Sequence, residues 1–421
     1  MKLIGFMYLL SFCSHLSGAP INVTSNNKIS MLNRRIIWTN WNQSNIEFNS
    51  DAILDTPEMI REAGYPVETH VITTEDGYLL TLHRIPGGND SLPVLLLHGM
   101  ISSSADWVVL GKNKAFAYLL ADQGYDVWLG NFRGNIYSRA HISLSSSNST
   151  FWDFSFHEMG IYDLPAMITF ITNMRAQPLH TYIGYSMSAT SFFIMASERP
   201  KFTQMVQMMI GLAPAVFGNH MKSPIQYFFP LRRKLKIVAQ LFFHDEVFGS
   251  DFVRFLLKNI CDQNITGKLC VNLMSIICGD DHEQFNYTLL PVILNHFPAG
   301  TSTKIILHLI QSFESGKFRK YDHDRVKNLL IYNSMEPPDY NLSNTTVPIA
   351  LFYANNDLFV SIEDVERLYH SLPNVVDMYK VPWSKFNHVG FIWAKDASKL
   401  VYDRILKIMR GENLNNVTSV K

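Results

Sequence analysis

The stretch that most constrains the chain is Ile183-Gly184-Tyr185-Ser186-Met187-Ser188-Ala189. The apolar run Leu179 to Ile183 ahead of it has the length of a buried strand. Met187 to Ser197 behind it can coil into a helix that is apolar nearly all round. Passing from strand to helix through one serine demands a sharp turn in which the two backbones nearly touch. Small residues are therefore needed two before and two after it. Gly184 meets the first demand, and Ser188 stands at the second position, where glycine is usual. Such a turn presents the Ser186 hydroxyl as a nucleophile, whereas in a bland setting the same residues are a buried serine capping a helix. The rest of the chain decides between the two.

Residues 67–74 and 78–84 alternate around Glu75-Asp76-Gly77, which predicts a β-hairpin. Pro93 to Leu97 is a continuous apolar run, as expected of an inner parallel strand buried on both faces, and it ends in His98-Gly99-Met100. A helix is predicted from Lys114 to Asp122, a strand over Tyr125 to Leu129, a turn at Asn131 to Gly134 and a helix from His157 to Asn173. After the serine turn comes a strand-like run, Met205 to Leu212. Strands alternating with helices through short turns mean a mostly parallel, doubly wound α/β sheet. The alternation stops after Pro214. Residues 217–336, rich in Phe and basic side chains, read as an inserted helical region without a clear strand. It resumes with a strand at Val347 to Tyr353, a helix at Ile362 to His370, a strand at Val375 to Val381 and a C-terminal helix near residues 395–410.

Met1 to Ala19 has the charged start, apolar centre and small-residue end of a secretory signal peptide. It is too short for a good membrane span, and no other uninterrupted apolar stretch of about 20 residues occurs. Sequons for N-glycosylation begin at Asn22, Asn42, Asn89, Asn148, Asn264, Asn286, Asn341, Asn344 and Asn416. Together these features direct the chain to the secretory pathway, to an extracellular or lysosomal destination. Cys261, Cys270 and Cys278 survive removal of the signal. In an oxidising compartment one pair should bridge, and spacing allows Cys261–Cys270 or Cys270–Cys278. Equal numbers of basic and acidic side chains, 36 each, argue against nucleic acid as a partner. The expected divisions are a signal peptide (1–19), a polar N-terminal segment (20–52), a core (53–216 and 337–412), an inserted cap (217–336) and a C-terminal tail (413–421).

A serine hydroxyl attacks well only when a base within hydrogen-bond reach takes its proton. In α/β-hydrolases the partners follow in the order Ser, Asp, His, on loops after later strands. Asp357 lies in the loop after the strand ending at Tyr353, and His388 lies past the strand ending near Val381. In this reading Asp357 orients His388, and His388 relays the Ser186 proton. Asp364 is a nearby rival acid, and Asp357 alone would equally suit a helix cap. An oxyanion needs two main-chain donors, expected to be the N–H groups of Met187 and of Met100 after His98-Gly99.

Longer stretches carry a family resemblance from about Thr56 to the C-terminal helix. They include Gly64-Tyr-Pro, Thr74-Glu-Asp-Gly-Tyr78, Leu97-His-Gly-Met100, Tyr125-Asp-Val-Trp-Leu-Gly-Asn131, Arg133-Gly134, Phe151-Trp152 and Tyr162-Asp-Leu-Pro165. Pro298-Ala-Gly-Thr-Ser302, Ser315-Gly-Lys-Phe318, Asn387-His388 and Phe391-Ile-Trp393 continue it. The chain resembles the animal acid lipase family, which includes gastric lipase and lysosomal acid lipase. The resemblance implies an α/β-hydrolase core with a helical cap and lid, a Ser186–His388–Asp357 triad, a Cys261–Cys270 disulfide and a free Cys278. It also implies hydrolysis of neutral lipid esters at a lipid interface, with no metal or organic cofactor.

The family turn reads Gly-His-Ser-Gln-Gly, so this chain departs from it at Tyr185, Met187 and Ser188. The extra side chain at Ser188 is expected to cost about 1 kcal/mol of strain or to shift the turn. That departure motivates an alternative of another class, a lipid-binding carrier on a lipase scaffold with little turnover.

Overall fold

A computed structural model describes residues 50–232, 234, 237, 244–249, 260–261 and 264–412. The signal peptide, most of the polar N-terminal segment, the tail from residue 413 and the sequons at Asn22, Asn42 and Asn416 lie outside the described residues. The strands are β1 (Glu68–Thr73), β2 (Tyr78–Ile85), β3 (Pro93–Leu97), β4 (Asp126–Gly130), β5 (Ala140–His141), β6 (Leu179–Tyr185), β7 (Val206–Leu212), β8 (Glu246–Val247), β9 (Thr301–Ser302), β10 (Ile349–Tyr353) and β11 (Val375–Lys380).

Nine of them form one sheet in the order β1-β2-β4-β3-β6-β7-β10-β11, with β5 on β2. The hairpin strands pair antiparallel, and β4, β3, β6, β7, β10 and β11 run parallel. Every residue of β3 and β4 is buried, and β3 accordingly reads as an unbroken apolar run, while β4 opens with the buried Asp126, which pairs with Arg84. Because β4 lies on one side of β3 and β6 on the other, the winding reverses at β3. Right-handed crossovers then put helices on both faces and open a crevice at the carboxyl end of that strand. Register aligns Gly130, Leu97, Gly184, Gly211, Leu351 and Met378 in one row across the sheet. The turns after β3, β6, β10 and β11 therefore all emerge on a single edge.

Three local expectations are corrected. Residues 50–52 form a short 3₁₀ turn with Ala52 buried, so the packed part of the chain begins before residue 53. The predicted helix from His157 is interrupted by a π turn at Met159–Asp163 before the regular helix Leu164–Arg175. Among its described residues the insertion between β7 and β10 is mostly helical, yet β8 and β9 pair antiparallel within it. Two-residue strands carry no alternation for a sequence reading to detect. Cys261 is joined to Cys270, and Cys278 is a buried free thiol.

One ion cluster ties the family stretches together. Arg133, 1% exposed, donates from Nε to Asp163 Oδ1 at 2.7 Å and from Nη1 to Asp76 Oδ2 at 2.6 Å, and stacks over the Tyr78 ring at 4.0 Å. The hairpin turn, the turn after β4 and the π turn meet on this guanidinium. Arg133→Met should cost about 3–5 kcal/mol, because it strands the buried Asp163 carboxylate. Adding Asp163→Asn should recover most of that loss, as measured by chemical denaturation. A single variant as stable as the wild type would show that the cluster is dispensable.

Candidate active site

The Ser186 turn lies at the end of β6 and the start of the helix Met187–Glu198. Ser186 adopts φ 55° and ψ −115°, a sparsely populated conformation costing about 1–3 kcal/mol that surrounding structure must hold. Close packing does so. A Cβ on Gly184 would lie 2.9 Å from the Ala189 amide nitrogen, so only glycine lets strand and helix meet there. Ser186 N–H donates to Leu212 O at 2.8 Å, and the Tyr182 hydroxyl donates to Ser188 O at 2.8 Å.

Ser188 is hydrogen-bonded within the turn. Its buried Oγ is 2.8 Å from both Leu97 O and Tyr185 O and shares its proton between them. The added side chain therefore arrives with acceptors, which offsets the burial of its hydroxyl.

Ser186 Oγ is 3.0 Å from His388 Nε2, and His388 Nδ1 is 2.7 Å from Asp357 Oδ2. Asp357 Oδ1 accepts the main-chain N–H groups of Phe359 at 2.8 Å and Val360 at 2.9 Å. These bonds aim the other carboxylate oxygen at the imidazole. All three residues are buried. The rival Asp364 instead accepts from His220, at 2.9 Å from its Nδ1.

The turn carrying Met100 lies against Ser186, since a Cβ on Gly99 would come within 3.5 Å of Ser186 Cβ. His98, in the sequence only a member of the Leu97-His-Gly-Met100 stretch, holds three neighbours through its ring. Its Nδ1 is 2.8 Å from Gly99 O, so that nitrogen carries the proton. Nε2 is left to accept from Phe132 N–H at 3.2 Å and Asn135 Nδ2 at 3.1 Å. Burial lowers the His98 pKa to about 4, which keeps the ring neutral and this bonding pattern intact.

The insertion is clamped onto the same edge. Ala299 N–H donates to Ile101 O at 2.7 Å, beside Met100, and Ile136 N–H donates to Ala299 O at 3.0 Å. Cys278 O faces the N–H groups of Leu358 and His388, both at 3.4 Å, and Asn387 Nδ2 donates to Gly279 O at 2.7 Å. Gly279 has φ 111°, and a Cβ there would fall 2.0 Å from Asn356 O, so the clamp needs glycine. These contacts join segments more than 70 residues apart, and nothing local in the sequence announces them. A surface cleft of about 520 Å³ lined by Asn89, Gln123 and Arg410 lies at the amino-terminal edge of the sheet, away from Ser186.

Residues 93–394 match the family model described as alpha/beta hydrolase fold, and residues 56–111 match the partial alpha/beta-hydrolase lipase region. Lipase 1 of Drosophila melanogaster is 42% identical over 362 residues, covering 85% of this chain and 80% of that protein. Human gastric triacylglycerol lipase is 38% identical over 373 residues, covering 85% and 92%. The lysosomal acid lipase/cholesteryl ester hydrolase of Macaca fascicularis is 36% identical over 372 residues, covering 86% and 92%. Among solved structures, an esterase from Exiguobacterium antarcticum superposes with TM-score 0.51 at 15% identity, covering 82% of this chain and all of that one, a likeness of fold.

Asp106, four residues past Ser102, is buried near Tyr185 and Tyr402, and its Oδ2 has no hydrogen-bond partner among the described residues. Burial raises its pKa to about 7. A carboxyl raised in the folded state adds stability that is full below its unfolded pKa and is lost as pH rises through the folded value. Asp106→Asn should therefore be the more stable form at pH 8, by up to about 4 kcal/mol, with the advantage gone near pH 4. Thermal unfolding at the two pH values tests this, and an equal gap at both would refute it.

The matched family regions, the share of each relative covered and the parallel sheet lead to one assignment: the chain belongs to the animal acid lipase family, built on the α/β-hydrolase fold.

Proposed function

We propose that this chain hydrolyses carboxylic esters of neutral lipids, acylglycerols or sterol esters, through an acyl-enzyme on Ser186. The observation that carries the proposal is the continuous hydrogen-bonded relay from Ser186 through His388 to Asp357, set beside the Gly99-Met100 turn. The triacylglycerol and cholesteryl ester activities in the relatives' names point to the same substrate class.

His388 Nε2 takes the hydroxyl proton as Ser186 Oγ attacks the ester carbonyl carbon. The N–H groups of Met187 and Met100 receive the resulting oxyanion. Collapse breaks the ester bond, and His388 returns the proton to the departing alcohol. Water, deprotonated by His388, then attacks the acyl-Ser186 ester, releases the fatty acid and restores the hydroxyl. Asp357 stays ionised and stabilises the imidazolium in both halves. Each step uses only side chains, main-chain donors and water.

In this reading residues 217–336 act as a cap whose outer part meets a lipid surface. Ile225, Tyr227 and Leu231 on the 3₁₀ stretch Pro224–Leu231 are exposed apolar side chains in that region, which supports an interfacial lid. No helix among the described residues is long and apolar enough to cross a membrane. The chain travels the secretory pathway to an extracellular or lysosomal site, and the sequons at Asn89, Asn148 and Asn341 stand on exposed side chains.

A fluorophosphonate probe should label the purified glycoprotein, and Ser186→Ala should abolish both labelling and hydrolysis of emulsified triacylglycerol, by about 10⁴-fold or more. Turnover should also be higher on the emulsion than on the same ester dispersed as monomers. Folded wild type that binds lipid but resists the probe, with detergent present, would instead support the carrier reading.

A further inference from the structure

The Tyr185 ring lies between two parts of the site that are far apart in sequence. On one side it backs the turn carrying Met100, since a Cβ built on Gly99 would be 2.9 Å from its Cε1. On the other, its hydroxyl donates to the main-chain oxygen of His388 at 3.0 Å, and the two rings lie 5.3 Å apart between centroids. The side chain is buried, and its own carbonyl oxygen is one of the two that share the Ser188 hydroxyl proton. The other is Leu97 O, immediately before His98.

On the hydrolase reading above, we infer that Tyr185 is a positioning residue for the reaction. Its phenol braces the His388 loop against the nucleophile turn while its ring backs the oxyanion turn, so that the serine, the base and the oxyanion donors share one frame.

The physical reason is the loop that carries His388. The His388 N–H faces Cys278 O at 3.4 Å, a long contact, whereas the Tyr185 bond to the His388 carbonyl is shorter and comes from the residue adjacent to the nucleophile. Any shift of Ser186 therefore carries the brace with it, and the distance from Oγ to Nε2 is preserved. The family pattern has histidine at this position, and an imidazole is shorter than a phenol and does not reach as far. Ser188, the other departure with a polar side chain, ties the same turn to the end of β3. The two polar departures at the nucleophile turn are thus joined to each other and to both neighbouring turns.

Tyr185→Phe keeps the ring against Gly99 and removes only the hydroxyl. Hydrolysis of a soluble ester, p-nitrophenyl butyrate, should be measured per active site titrated with the fluorophosphonate, so that unfolded protein is not counted. The expected result is a fall in kcat of about tenfold with KM within twofold of wild type, because misplacement of a general base acts on the chemical step. The rate of phosphonylation should fall in parallel. Ser188→Ala should lower kcat in the same direction and less. An unchanged kcat per titrated site, or a change confined to KM, overturns the proposal. A wild type that neither hydrolyses nor labels defeats the hydrolase reading and this inference with it. An active wild type with an equally active Tyr185→Phe defeats the inference alone.

Discussion

The close approach of β6 to the helix Met187–Glu198 is the constraint on which the rest of the site depends. It forces Ser186 into a backbone conformation that ordinary residues avoid, and it admits no side chain at Gly184. The turn persists because its neighbours hold it from several directions. Leu212 O takes the Ser186 N–H, the Tyr182 hydroxyl reaches across to Ser188 O, and the Ser188 hydroxyl reaches back to Leu97 O. On the proposed hydrolase reading, a serine held this way needs little reorganisation when it attacks, which is what preorganised catalysis requires.

Around that turn the sheet works as a ruler. One row of paired residues crosses β4, β3, β6, β7, β10 and β11, so loops of very different length start from a common edge. Asp357 and His388 then line up with Ser186 from two separate strand ends. The insertion is bonded into this edge, since Ala299 N–H reaches Ile101 O and residues 278–279 bond to the loops of Asp357 and His388.

Much of this was legible in the chain. Short, largely apolar runs bounded by turns mark inner strands, and they located β3, β4, β6 and β10 to within a residue or two. The order Ser186, Asp357, His388 was readable because each follows a recognisable strand. The choice of Asp357 over Asp364 was left open by residue type, and geometry separates them: Asp364 bonds His220. The short strands β8 and β9 and the π turn escaped notice because periodicity is a statistical signal that needs more than one repeat. The roles of Arg133, His98 and Gly279 escaped for another reason, namely that their partners are distant in sequence.

By itself, the sequence determined the α/β class, the position of the nucleophile turn, the candidate catalytic residues and an insertion between the last strands, because each rests on local pattern or chain order. Only the tertiary structure decided what the altered turn means. A serine in place of glycine reads as strain until Leu97 O and Tyr185 O are seen 2.8 Å from its hydroxyl, and nothing in the sequence places the Tyr185 hydroxyl on His388 O. A hydrogen bond depends on where its partner lies in space, and chain order does not record that.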